Sequence, residues 1–204
     1  MKRKLIPLII FIILLATISN AQDFTFPLNE KGKVEFSETV QSDKSQKELF
    51  EITKDWVIAV SSNYKDVVVD EDKEEGYITL KGGMQLSYSF NPFAGQFYNN
   101  MSLVMKIKCS DNQYTYTIRN ISITTTYVGY GMNNTTCDLS EINKKYDDAK
   151  SEIPLVQNNP DLSKKAKKKK IEELEEIIDD NKETLEKVHE NVTGLIKSLK
   201  DELE

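Results

Sequence analysis

The stretch VVVDEDKEEGYITLKGG (67–83) carries five acidic side chains before its first glycine. Asp70, Asp72 and Glu74 alternate there as the oxygen ligands of a calcium loop do. Such a loop needs glycine at its sixth position and a bidentate Glu at its twelfth. Here the glycine comes seventh, as Gly76, and Lys81 stands twelfth. The spacing predicts a solvated turn between two strands, and no metal. Cys109 and Cys137 lack the paired Cys-x-x-Cys ligands of a zinc site. In an oxidising compartment an even pair suggests a disulfide, with two small, buried, unpaired thiols as the alternative. The only histidine, His189, falls beside an apolar stripe near the C-terminus, with no nucleophile and orienting carboxylate in any recognisable pattern. It reads as a helix-surface residue. There is no G-x-S-x-G elbow, no phosphate-binding glycine loop and no H-E-x-x-H, and no cofactor is expected.

Two groups of residues suit binding instead. Strand alternation sends Tyr77, Thr79, Lys81, Gln85, Ser87, Lys106, Lys108, Thr115, Thr117 and Arg119 to one sheet face without a helix to cover it. The cations Lys81, Lys106, Lys108 and Arg119, with Tyr77, suit an anionic glycan, a lipid head group or an acidic envelope protein. A half-wet antiparallel sheet carries polar residues there in any case. The glycine-containing loops NPFAGQFYN (91–99) and YVGYGMNN (127–134) offer Phe93, Tyr98 and Tyr130 for a partner, or as caps on the core.

The elements that must position these residues form one α+β unit. VEFSETV (34–40) alternates as a half-buried strand. Ser45 and Glu48 make a capping box that opens a helix, whose stripe of Leu49, Ile52, Trp56, Ala59 and Val60 points to a core. DVVVD (66–70) and GYITLKGGMQLSYSF (76–90) follow. The second sends Ile78, Leu80, Met84, Leu86, Tyr88 and Phe90 inward, and Gly82-Gly83 suggests a bulge in its middle. MSLVMKIKC (101–109) and QYTYTIRNISITTTY (113–127) complete an antiparallel meander.

The helix carrying ELFEITKDWVIAVSSNYKDVV, then an acidic turn, then GYITLKGG, resembles an exported Bacteroidota family known only as a domain of unknown function with a TBP-like fold. The resemblance covers about residues 24–128. It implies a curved antiparallel sheet, β-α-β-β-β-β-α in order, with helices on one face and the first strand beside the last. It implies no activity and no functional residues. The DNA binding of TBP itself does not follow from a shared fold.

The C-terminal third departs from that family. LSEINKKYDDAKSEI (139–153) reads as an amphipathic helix closing a domain at 22–150. Residues 151–163, with two prolines, read as a linker, and 164–204 as one amphipathic helix. Its apolar positions recur at three- and four-residue steps from Ile171 to Leu203. They suit packing on the body or a coiled coil, hence a homo-oligomer through residues 171–203. KKAKKKK (164–170) reads as a solvated helix start offset by the EELEE that follows, with anionic lipid or phosphate as the competing partner.

Compartment is read from the start of the chain. Lys2, Arg3 and Lys4 precede the apolar run 5–16, and Ser19 and Ala21 are the small residues of a cleavage site, so residues 1–21 read as a signal peptide. The run is shorter than the roughly 20 residues of a permanent span. Cleavage leaves 24 basic against 33 acidic side chains, a balance of −9. An exported chain of that charge is a poor partner for nucleic acid. The reading is an exported, periplasmic or cell-surface, non-enzymatic binding module, with no transmembrane span once cleaved. A hydrolase with paired carboxylates and a structural oligomer held by the tail are the alternatives.

Overall fold

The computed structural model describes residues 25–91, 95–128 and 132–204; the signal peptide assigned to residues 1–21 lies outside them. Strand β1 (Phe36–Gln41) turns into helix α1 (Gln46–Val60). Ser45 caps α1: its hydroxyl accepts from the Glu48 amide, and the Glu48 carboxylate accepts from the Ser45 amide. A single turn, α2 (Tyr64–Val67), leads into β2 (Val68–Asp72), so the strand expected at 66–70 begins two residues later. Three long strands follow: β3 (Tyr77–Asn91), β4 (Gly95–Ser110) and β5 (Gln113–Val128). A sixth, β6 (Met132–Asp138), precedes α3 (Leu139–Asn158) and the 40-residue α4 (Lys164–Leu203).

The sheet is antiparallel, in the order β1-β5-β4-β3-β2. Both β1 and β6 sit on the free edge of β5. The first pairs with residues 113–118 and the second with 122–128. Between them a bulge, with Asn120 at φ 54°, restarts the inward–outward alternation. First strand and meander end do lie side by side, as expected. The sixth strand escaped the sequence because its burial is almost uniformly low, so no alternation marks it.

A second bulge, between Gln85 and Ser87 on β3, corrects the reading of that strand. Gly82 and Gly83 hold regular register against Leu103 and Ser102, and the slip occurs at Leu86 instead. Beyond it the faces exchange. Ser87, expected outward, meets Asn99 on the helix side, while Tyr88, expected inward, pairs with Tyr98 outside.

One face of the sheet is covered by α1, α3 and α4. Trp56 is 2 % exposed and packs in one continuous core with Ile78, Met105, Ile107, Ile118 and, from α4, Leu185, Val188, Val192, Leu199 and Leu203. Polar ties fix α4 to the body: Trp56 Nε1 donates to Ser198 Oγ at 3.0 Å, and Lys200 Nζ reaches Glu38 at 2.7 Å. Lys44 Nζ donates to the carbonyls of Leu203 and Glu204, placing a cation at the negative end of the helix. Of the two readings open for the apolar stripe, packing on the body is the one seen here.

The linker reading of 151–163 also changes. Helix α3 runs through Pro154 to Asn158, leaving only 159–163 as a connection. An interior proline costs a helix about 3 kcal/mol. The packing of Ala149, Ile153 and Val156 against Ile171 and Leu174 of α4 offsets it.

Candidate functional site

The outer face of the sheet collects the residues that alternation directs away from the helices. Cross-strand register places Lys81, Val104 and Arg119 in one row, Thr79, Lys106 and Thr117 in the next, and Tyr77, Lys108 and Thr115 in a third. All four expected cations therefore share one face. Neighbouring strands stand about 4.8 Å apart, so Lys81 and Arg119 rise some 10 Å from each other across Val104.

The four cations are not equivalent. Lys106 Nζ lies 4.0 Å from the centre of the Tyr77 ring, and Lys108 forms an ion pair with Glu75 at 3.5 Å. A hydrogen bond to Asp70, then desolvation and the nearby acidic charges, hold the Tyr77 phenol above its ordinary value. The acidic hairpin thus neutralises the near end of the basic face. Asp70 and Asp72 pair with Thr79 and Tyr77 and so share the outer face, a parity the sequence carried. Among the described residues neither Lys81 nor Arg119 makes an ion pair.

The DEDKEEG cluster is a hairpin turn. Asp72 Oδ1 accepts from the amides of Glu74 and Glu75 at 2.9 Å, and Gly76 adopts φ +70°. A Cβ on Gly76 would stand 2.8 Å from the Cys109 carbonyl oxygen, so both conformation and space demand glycine. Among the described residues no three His, Cys, Asp or Glu side chains gather as metal ligands.

At its other end the outer face becomes aromatic. Tyr88 and Tyr98 stand with ring centres 5.1 Å apart, and Tyr98 Oη donates to Gln96 Oε1 at 2.6 Å. Tyr98 belongs to β4, not to a loop; Phe93 and Tyr130 lie outside the described residues. Sequence reasoning missed Tyr88 because a one-residue bulge leaves no compositional mark. Between the tyrosines and the cations lie Asn100, Ser102, Ser122 and Thr124, with Ser102 and Ser122 hydroxyls 2.8 Å apart. Along β4 the strip runs Tyr98, Asn100, Ser102, Val104, Lys106, Lys108, roughly 33 Å end to end.

The disulfide is corrected: both cysteines are free thiols. Cys137 opposes Ile123, which opposes Met101, and Met101 lies about 26 Å along β4 from Cys109. A bridge needs Cα atoms within roughly 7 Å. Burial pushes the Cys109 thiol up, against a contact with Thr53 Oγ1. His189 packs edge-on against Phe26. In the lysine run, Lys168 and Lys169 pair with Glu172 and Glu173 one turn on, as the charge pattern predicts, and Lys170 with Glu152. No helix among the described residues is long and apolar enough to cross a membrane.

Comparison with solved structures finds likeness to a TBP-like protein from Parabacteroides distasonis. It shows 18% identity over 85% of this chain and 96% of that one, with a TM-score of 0.49. A second, a DUF4468 family protein from Bacteroides ovatus, shows 20% identity over 53% of this chain and 64% of that one, with a TM-score of 0.37. No curated protein matches. A family model described as "Domain of unknown function (DUF4468) with TBP-like fold" matches residues 36–124, from β1 through most of β5.

Proposed function

We propose that this protein is an exported cell-envelope binding module, without catalytic activity, that holds an acidic glycan along the outer face of its sheet. The observation that carries the reading is one strip joining an aromatic pair, Tyr88 and Tyr98, to the unpaired cations Lys81 and Arg119. Tyrosine faces suit sugar rings, hydroxyl and amide side chains suit sugar hydroxyls, and the cations suit uronate or phosphate groups. A protein partner would call for an apolar interface centre, which this strip does not offer beyond Val104. The formal charge of −6, and −9 without residues 1–21, argues against nucleic acid. Export is supported by the basic start, the apolar run 5–16 and the small residues Ser19 and Ala21.

Calorimetry on residues 22–204 tests the reading, with polygalacturonate as the acidic polymer and dextran as the neutral one. Polygalacturonate should bind, more weakly as salt rises, and dextran should not. The double change Lys81→Ser with Arg119→Ser should weaken binding at least about tenfold, two charge contacts near 1 kcal/mol each. Tyr98→Ala should weaken it independently of salt. Equal binding of both polymers, or an unaffected double variant, would overturn the assignment.

A further inference from the structure

The helix side of the sheet holds a cavity of about 270 Å³ that plays no part on the outer face. It opens beside the C-terminal end of α1. Trp56 and Val60 form one wall, Leu80, Met84 and Leu103 the floor, and Leu195 of α4 one flank. One residue leaves part of its floor without a side chain. Position 82 lies between Leu80 and Met84 on the inward face and opposite Leu103, where alternation calls for an apolar side chain; the residue is glycine.

Nothing in the fold requires glycine at that point. A Cβ on Gly82 would meet nothing within 4 Å, and its φ is not positive. Its neighbour Gly83 differs: a Cβ there would stand 2.6 Å from the Met101 carbonyl oxygen. A strand-interior glycine weakens the strand, and this one leaves apolar walls facing a void. The mouth is polar, with Ser62 and Asp66 at the rim; among the lining residues Asp66 carries the only charge.

We propose that this cavity binds the hydrocarbon tail of a small amphiphile with an uncharged or cationic head group. The volume exceeds the roughly 150 Å³ of an apolar cavity that takes up benzene, so it has room for a short hydrocarbon tail. The apolar walls hold the tail, and Asp66 selects the head, since a carboxylate at the rim would face a like charge.

Trp56 is the only tryptophan of the chain and lines the cavity, so its emission reports occupancy directly. Residues 22–204 are titrated with n-decylamine, 1-decanol and decanoate below their micelle concentrations. The amine and the alcohol should give saturable changes, with decanoate at least about tenfold weaker than the amine. Gly82→Val fills the space, so it should raise the melting temperature and abolish the response. Asp66→Asn, on the exposed rim, should narrow the gap between decylamine and decanoate.

Absence of a saturable response to decylamine overturns the proposal. So does a folded Gly82→Val chain that binds decylamine as well as the parent does. Equal affinity for decanoate overturns the head-group assignment. Should Gly82→Val fail to fold, a dose-dependent rise in the parent's melting temperature with decylamine, reduced in Asp66→Asn, decides the matter.

Discussion

Tyr114 is 1 % exposed, and its hydroxyl finds no hydrogen-bond partner among the described residues. Burial first, then the charges of Glu204 and Glu38, pushes its phenol up to about 12. Tyr116, two residues on and on the same face, solves the same problem by donating to Glu38 at 2.6 Å. Alternation in QYTYTIR made both rings inward, but it could not show which hydroxyl had a carboxylate across the strand. An unmet buried hydroxyl costs about 1–3 kcal/mol. Tyr114→Phe should therefore leave stability unchanged or raise it by up to about 1–2 kcal/mol in urea unfolding, whereas Tyr116→Phe removes a made hydrogen bond to Glu38, which keeps Lys200, and should lower it by about 0.5–1.5 kcal/mol. A loss at Tyr114 equal to that at Tyr116 would mean that the first hydroxyl is bonded after all.

Period-two alternation made β1, β3, β4 and β5 legible, and the Ser45–Glu48 box made α1 legible, because each signal is local. What the sequence hid was non-local. The slip at Leu86 sends Tyr88 to the outer face; β6, exposed on both sides, has no period; and α3 passes through Pro154 because α4 holds it there. That pairing divides α4. Leu174 packs in a small separate cluster with Ala149 and Val156, whereas Leu185 belongs to the main core. Leu185→Ala should cost about 2–5 kcal/mol of global stability. Leu174→Ala should instead loosen the end of the helical pair, speeding amide exchange over 149–178 at a global cost under about 1 kcal/mol. Equal global losses from the two would show that the helical pair and the sheet melt as one unit.

Across the whole molecule, the spacing from Ile171 to Leu203 announced an apolar stripe but not what it would cover. A seam for a second copy and a seam for the chain's own sheet look alike in sequence. The choice is made by single polar contacts far apart in the chain: Ser198 with Trp56, Lys200 with Glu38, and the carbonyls of Leu203 and Glu204 with Lys44. A tail bound this way is a layer of the domain. Leu185, Val188, Val192, Leu199 and Leu203 are each fully buried in the main core. At about 1.5–3 kcal/mol per buried side chain, their removal withdraws roughly 7–15 kcal/mol, as much as the net stability of an ordinary domain. Residues 22–163 alone should therefore fail to melt cooperatively, lose near-ultraviolet circular dichroism and show red-shifted Trp56 emission, while residues 22–204 should scatter light as a single chain. If the shortened chain melts sharply with Trp56 emission unchanged, the long helix is an appendage and its stripe is free for assembly between copies.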